Sequence, residues 1–243
     1  MNRIVFIFLI VAGLSCTDKE SPENMILQNE IPENNQEPGN TEIYYLALGD
    51  SYTIGESVAQ NERFPVQLEE QLKNEGFAIQ PVKIIAQTGW TTDELANAIK
   101  SETLKNAYNV VTLLIGVNNQ YRGRSADEYR TQFKELLQTA IALAGYDAKN
   151  VIVISIPDYG VTPFGETRNP DQIAKEIDEF NSINQQETQR LNARYVNITG
   201  ISREAKNDQT LVASDGLHPS AEMYRRWVEK ILPEAKAILE KQK

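Results

Sequence analysis

The sequence predicts an α/β fold in which a five-stranded parallel sheet lies between two layers of helices. Two observations carry this reading. Five short apolar runs rich in Val, Ile and Leu recur along the chain, as expected for strands buried on both faces. Segments of helical periodicity separate them, and alternation of strand and helix implies parallel strands joined by crossover helices. Five such strands suggest a flavodoxin-like three-layer α/β/α sandwich, whose sites lie beyond the carboxyl ends of the strands.

The first strand spans Tyr44 to Gly49 (YYLALG). Phe64 to Gly76 follows as a helix, with Val66, Leu68 and Leu72 apolar and Gly76 as its stop. Val82 to Ala86 is the second strand. Thr91 to Lys100 opens on Thr91-Thr92-Asp93-Glu94, a good helix start. Val110 to Ile115 and Val151 to Ile156 are the third and fourth strands, separated by a long amphipathic helix from Ser125 to Ala144. Pro170 to Leu191 is a mostly polar helix and Tyr195 to Ile198 a short fifth strand. Ser220 to Lys241 closes the chain as a helix with a kink expected at Pro233. Pro157 to Pro170 reads as a long loop.

The 243 residues, 41% of them hydrophobic, suffice for one catalytic domain with extensions. A formal net charge of -10 argues against nucleic acid as a partner, because phosphate binding needs clustered Lys and Arg. One Cys and one His allow no internal disulfide and no zinc site of the usual kind. No EF-hand, Walker or dinucleotide spacing is present, so neither metal nor cofactor is expected.

The amino-terminal segment has its own logic. Arg3 precedes an apolar run from Ile4 to Leu14, too short to span a membrane but of the length of a signal-peptide core. The run ends in Gly13-Leu14-Ser15-Cys16, which resembles a bacterial lipobox, with Gly13 where Leu is usual. Residues 1–15 are therefore expected to be a lipoprotein-type signal and Cys16 the lipidated residue. A plain secretory signal with an incidental Cys is the alternative. Residues 16–42 read as a disordered tether; Thr17 to Glu42 is almost devoid of apolar side chains and carries a net charge of -6. The catalytic domain then covers residues 43–243 and is only mildly acidic. Export to the bacterial cell envelope is expected, with membrane contact only through the lipid.

The chemistry-bearing residues cluster at strand ends. The first strand ends in Gly49-Asp50-Ser51, where Gly49 permits a tight turn and Ser51 emerges at the start of a helix. Asp215-Gly216-Leu217-His218 lies just before the last helix. A hydroxyl nucleophile needs a base, and His218 is the only histidine; Asp215, three residues earlier, can reach its Nδ1 and leave Nε2 for Ser51. Acyl transfer also needs donors for an oxyanion. Gly89, after the second strand, offers a backbone N–H, and Asn118, after the third, a side-chain amide.

These blocks resemble the SGNH hydrolases, also called GDSL esterases and lipases. The family's Ser, Gly, Asn and His markers match Ser51, Gly89, Asn118 and His218, with Asp215 as triad acid. The resemblance covers about Ile43 to Lys243 and implies the same flavodoxin-like sandwich. One block departs: the family's Gly-x-Asn-Asp ends here in Asn119, which alters a supporting hydrogen bond without removing the oxyanion donor. Gly-x-Ser-x-Gly is absent, which argues against an ordinary α/β-hydrolase.

The expected function is ester hydrolysis through an acyl-enzyme, with Ser51, Gly89 and Asn118 forming the oxyanion hole. A small-molecule or glycan ester is the expected substrate, with a short acyl group on a carbohydrate or other polar alcohol. Trp90, Tyr121, Tyr159 and Phe164 are candidate pocket aromatics. A lysophospholipase or thioesterase is the alternative, and a non-catalytic surface binding module a further one. Oligomeric state is not legible in the sequence.

Overall fold

Tyr45–Gly49, an apolar run buried at every position, forms the first strand, β1. A computed structural model describes residues 42–242. The signal-like run, Cys16 and the tether as far as residue 41 lie outside the described residues. After β1 come α1 (Ser51–Ile54), α2 (Phe64–Asn74), β2 (Lys83–Ala86), α3 (Thr92–Ser101), β3 (Val110–Leu114), α4 (Val117–Tyr121) and α5 (Ala126–Leu143). Then follow β4 (Val151–Ile154), α6 (Pro163–Glu166), α7 (Pro170–Arg190), β5 (Arg194–Val196), α8 (Thr199–Arg203) and α9 (Ala221–Leu239).

All five strands are parallel, in the order β2-β1-β3-β4-β5. This is the flavodoxin-like order, with its switch point between β1 and β3. β1, β3 and β4 are buried throughout, whereas the edge strands β2 and β5 are partly exposed. α2 and α9 pack together on one face, and α3, α5 and α7 on the other. Aromatic rings close both layers. Phe64 of α2 meets Tyr224 and Trp227 of α9, and Tyr129 of α5 stacks on Phe180 of α7 at 4.3 Å between centroids.

Local signals end the helices where expected. Gly76 sits at φ 84°, and the Phe77 N–H returns to the Leu72 carbonyl, so α2 stops as a left-handed cap requires. Glu94 accepts the Thr91 N–H at 2.9 Å, opening α3 as the Thr91-x-x-Glu94 spacing predicts. The closing helix α9 contains Pro233, as expected from the sequence. Two differences from expectation stand out. The segment 157–170 is folded, with a 3-10 turn at Tyr159–Val161 and helix α6. The short helices α1, α4 and α8 were not predicted, because four or five residues cannot show a 3.6-residue period.

Candidate active site

Strand register positions the site. Gly49 lies opposite Ala86 of β2 and opposite Leu114 of β3, so the three strands end level. The residues just beyond those ends, Ser51, Gly89 and Asn118, therefore meet on one rim. Gly49 serves this arrangement by crowding rather than by a turn. A Cβ there would lie 2.4 Å from the Leu114 carbonyl and 2.1 Å from Thr53 Oγ1.

Ser51 is the first residue of α1, so its N–H has no acceptor within that helix. The helix is capped by Asp50, whose Oδ1 accepts the Tyr52 N–H at 3.0 Å. Asp50 thus takes the capping role that a serine at this position could have had, and the Ser51 hydroxyl stays free for chemistry.

Asp50 is fully buried, and its Oδ2 has no hydrogen-bond partner among the described residues. Burial pushes its carboxyl up to about 7, against the backbone donors that lower it. A carboxyl whose folded pKa is raised favours the native state at low pH; that contribution is lost as pH rises from about 4 through about 7. Asp50→Asn is therefore expected to flatten this part of the stability profile. The wild-type minus variant difference in unfolding free energy should fall by roughly 1.4 kcal/mol per pH unit across that window. Urea unfolding of both proteins from pH 4 to 8 measures it, and a difference independent of pH would show that Asp50 is ionised throughout.

His218 sits on a loop held from several sides. Val212 and Pro219 form an antiparallel bridge, Ala213 N–H donates to the His218 carbonyl at 2.7 Å, and Phe164 N–H donates to the Gly216 carbonyl at 3.0 Å. Asp215 Oδ2 lies 2.6 Å from His218 Nδ1, and its Oδ1 accepts the N–H groups of Leu217 and His218 at 2.9 and 3.0 Å. The aspartate thereby fixes both the loop and the ring. Ser57 was not anticipated. Its hydroxyl donates to Asp215 Oδ2 at 2.7 Å from a left-handed backbone, φ 65°, and 158 positions separate the two in sequence. Partial burial works to raise the Asp215 pKa. The bonds from Ser57, His218 and the loop N–H groups outweigh it and hold the carboxyl well below its usual range. Asp215 is therefore an anion across the neutral range.

Gly89 has φ 88°, and an added Cβ would meet nothing closer than 3.8 Å. Its backbone conformation, rather than lack of space, calls for glycine. Its carbonyl accepts from Arg122 Nη2 at 2.6 Å, and its N–H donates to no group among the described residues. The Asn118 amide donates one hydrogen to the Trp90 carbonyl at 2.9 Å, which orients the group and leaves its second N–H available. Asn119, at the position where the family carries Asp, is fully buried. It accepts the Thr92 N–H at 3.1 Å and donates to Thr92 Oγ1 at 2.7 Å, pinning the start of α3 to α4. The supporting bond is thus made by an amide that both donates and accepts.

Ser51, Gly89, Asn118 and His218 line one cavity of about 180 Å³. Its wall comes from Tyr121, Tyr159 and Phe164, with Tyr52, Val117 and Leu217. Three of the four candidate aromatics are therefore in place. Trp90 is not: its half-buried ring packs against the core, and its carbonyl is the part that serves the site, by holding Asn118. Tyr52, Thr88, Val117 and Leu217 were not expected as site residues, although each directly neighbours one that was. Tyr159 is both wall and core, with its hydroxyl donating to Gln120 Oε1 at 3.0 Å. Ser51 and His218 line the same cavity, and among the described residues no hydrogen bond joins them. Among the described residues no group of three His, Cys, Asp or Glu could hold a metal ion.

Comparison with known proteins bears on this arrangement. Several solved structures share the fold. The chain resembles TesA with a TM-score of 0.61 at 17% identity, over 80% of this chain and 99% of that one. It resembles the psychrotrophic esterase EstA from Pseudoalteromonas sp. with a TM-score of 0.59 at 18% identity, over 81% and 98% of the two chains. It also resembles Axe2, an acetylxylan esterase from Geobacillus stearothermophilus, with a TM-score of 0.63 at 18% identity, over 79% and 94%. No curated protein sequence matches the chain. The model of the GDSL-like lipase/acylhydrolase family matches residues 47–226, a stretch that carries Ser51, Gly89, Asn118, Asp215 and His218 together. The chain belongs to the GDSL-like lipase/acylhydrolase family and is a carboxylic ester hydrolase.

Proposed function

We propose that Ser51, His218 and Asp215 form the catalytic triad and that the enzyme cleaves short acyl esters of carbohydrates or other polar alcohols. The observation that carries this reading is the convergence of Ser51, Gly89, Asn118 and His218 on one small, largely apolar cavity. His218 Nε2 takes the Ser51 proton as Oγ attacks the ester carbonyl. The N–H groups of Ser51 and Gly89 and the Asn118 amide hold the oxyanion. The imidazolium, stabilised by anionic Asp215, returns the proton to the departing alcohol, and water then cleaves the acyl-enzyme.

Cavity size supports the acyl preference. A space of order 150 Å³ holds a benzene-sized group, so about 180 Å³ suits an acetyl or butyryl chain with its ester atoms. Methylenes beyond that gain ~0.8 kcal/mol each only where apolar surface meets them. The second reading, a lysophospholipase, draws on Tyr121, half-exposed beside Tyr159 and Phe164, which could extend an apolar path outward. Measurement of kcat/KM over p-nitrophenyl esters of rising chain length decides between them. The maximum is expected at two to four carbons, on the order set by the cavity; a maximum at long chains would reject the short-acyl reading.

We also propose that Cys16 carries a lipid anchor and that the exported protein sits in a bacterial cell envelope. The apolar run ending at Cys16 and the polar stretch after it support this. Cys16→Ser is expected to move the protein out of the membrane fraction or leave its signal uncleaved. Mature protein that stays membrane-bound with no lipid on residue 16 would contradict the assignment.

A further inference from the structure

Arg168 stands apart from the other arginines. Among the described residues, every arginine except Arg63 and Arg168 is paired with a carboxylate. Arg63 differs in being set into the fold, with its stem against Gly55 and its Nε buried without a hydrogen-bond partner among the described residues. Arg168 is exposed and stacks on Phe164, one of the residues that line the cavity. Its guanidinium is 3.5 Å from the centroid of the Phe164 ring, and Nη2 is 3.5 Å from the Tyr121 hydroxyl. Nη1 donates to the Phe164 carbonyl at 2.8 Å, which ties the cation to the wall and leaves other N–H donors free. So placed, without a carboxylate partner, the guanidinium can receive an anionic group from solution.

The surroundings say which part of a substrate would meet it. Phe164 is hydrogen-bonded to Gly216 of the His218 loop, so Arg168 stands on the side of the cavity where His218 hands a proton to the leaving alcohol. On the Thr88–Gly89 side Glu56 accepts from the Thr88 hydroxyl, and Arg122, which donates to the Gly89 carbonyl, is already paired with Glu94. Among the described residues, the cation left for an anionic group beside the cavity is therefore the one on Phe164.

Resting on the ester-hydrolase reading of this site, we propose that Arg168 recognises an anionic group, carboxylate or phosphate, on the alcohol portion of the ester. Matched pairs of acetyl esters test it: monoacetyl glycerol against its 3-phosphate, and an acetylated methyl hexoside against the corresponding methyl hexuronoside. Wild-type kcat/KM is expected to favour the anionic member by about tenfold, the scale of one charge-assisted hydrogen bond at a partly solvated site. The preference should shrink with added salt. Arg168→Gln should abolish it by slowing only the anionic esters, and Arg168→Lys should keep part of it. Preference in the phosphate pair alone would point to a phospholipid-type headgroup, and in the hexuronoside pair alone to an acidic glycan; either supports the proposal. Equal rates within both wild-type pairs would overturn it. So would an Arg168→Gln variant that slows neutral and anionic esters alike, since Arg168 would then only brace Phe164. Failure to hydrolyse any of the four esters would instead overturn the short-acyl reading on which the proposal rests, and the proposal with it.

Discussion

Ser51→Ala and His218→Ala are each expected to lower kcat by on the order of 10³-fold or more, with the fold intact. In the proposed mechanism Ser51 supplies the nucleophilic oxygen, and Thr88, the other aliphatic hydroxyl among the described residues that line the cavity, is bonded to Glu56. His218 is the only imidazole in the chain, so no second base can take over. Because the two act as one proton-transfer unit, the double variant should be scarcely worse than either single one. The oxyanion donors remain in both variants and should leave a residual rate above that of water. Purified proteins of native circular dichroism, assayed with a p-nitrophenyl acetate-type ester, provide the measurement. Near-normal turnover by folded Ser51→Ala would refute the assignment of the nucleophile.

Asp215→Asn is expected to cost roughly 10²- to 10⁴-fold in kcat, the range set by disrupting the tautomer and charge behind a catalytic histidine. Asp215 receives four donors, namely Ser57 Oγ, His218 Nδ1 and the N–H groups of Leu217 and His218. An amide has one accepting oxygen. Turned to keep the loop N–H groups, it would present its NH₂ to His218 Nδ1 and Ser57, favouring the wrong imidazole tautomer and supplying no charge to the imidazolium. Ser57→Ala provides the contrast. It removes one donor and leaves the carboxylate, so its loss should be about tenfold or less. A comparable loss in the two variants would mean that Asp215 matters for loop geometry alone, and that its charge contributes nothing.

Much of the fold was legible because its signals are local. Buried runs such as Val110 to Leu114, the Thr91-x-x-Glu94 cap and the left-handed stop at Gly76 act within a few residues, and each element forms where its own sequence directs. The candidate site was legible for a related reason. Ser51, Gly89 and Asn118 follow strands, and parallel strands in one sheet must end on the same side. Trp90 shows where that reasoning stops. Position in the chain places the backbone of a loop residue near the site, but the direction of its ring depends on which neighbours leave room for it. Here the core takes the ring and Asn118 takes the carbonyl.

Legible in the residues alone were the order of the five strands and the long helices, the membership of the rim and the pairing of one histidine with an aspartate three residues away. All of these follow from periodicity, strand direction and short separations along the chain. Tertiary structure alone decided that Ser57 donates to Asp215, that Asp50 is buried with one oxygen unpaired, that Asn119 pins α3, and that Arg168 lies unpaired against Phe164. Each of these depends on packing between elements, and in the case of Ser57 on residues 158 positions apart. No periodicity or spacing along the chain encodes such contacts, because they are set by how whole helices and loops settle on the sheet.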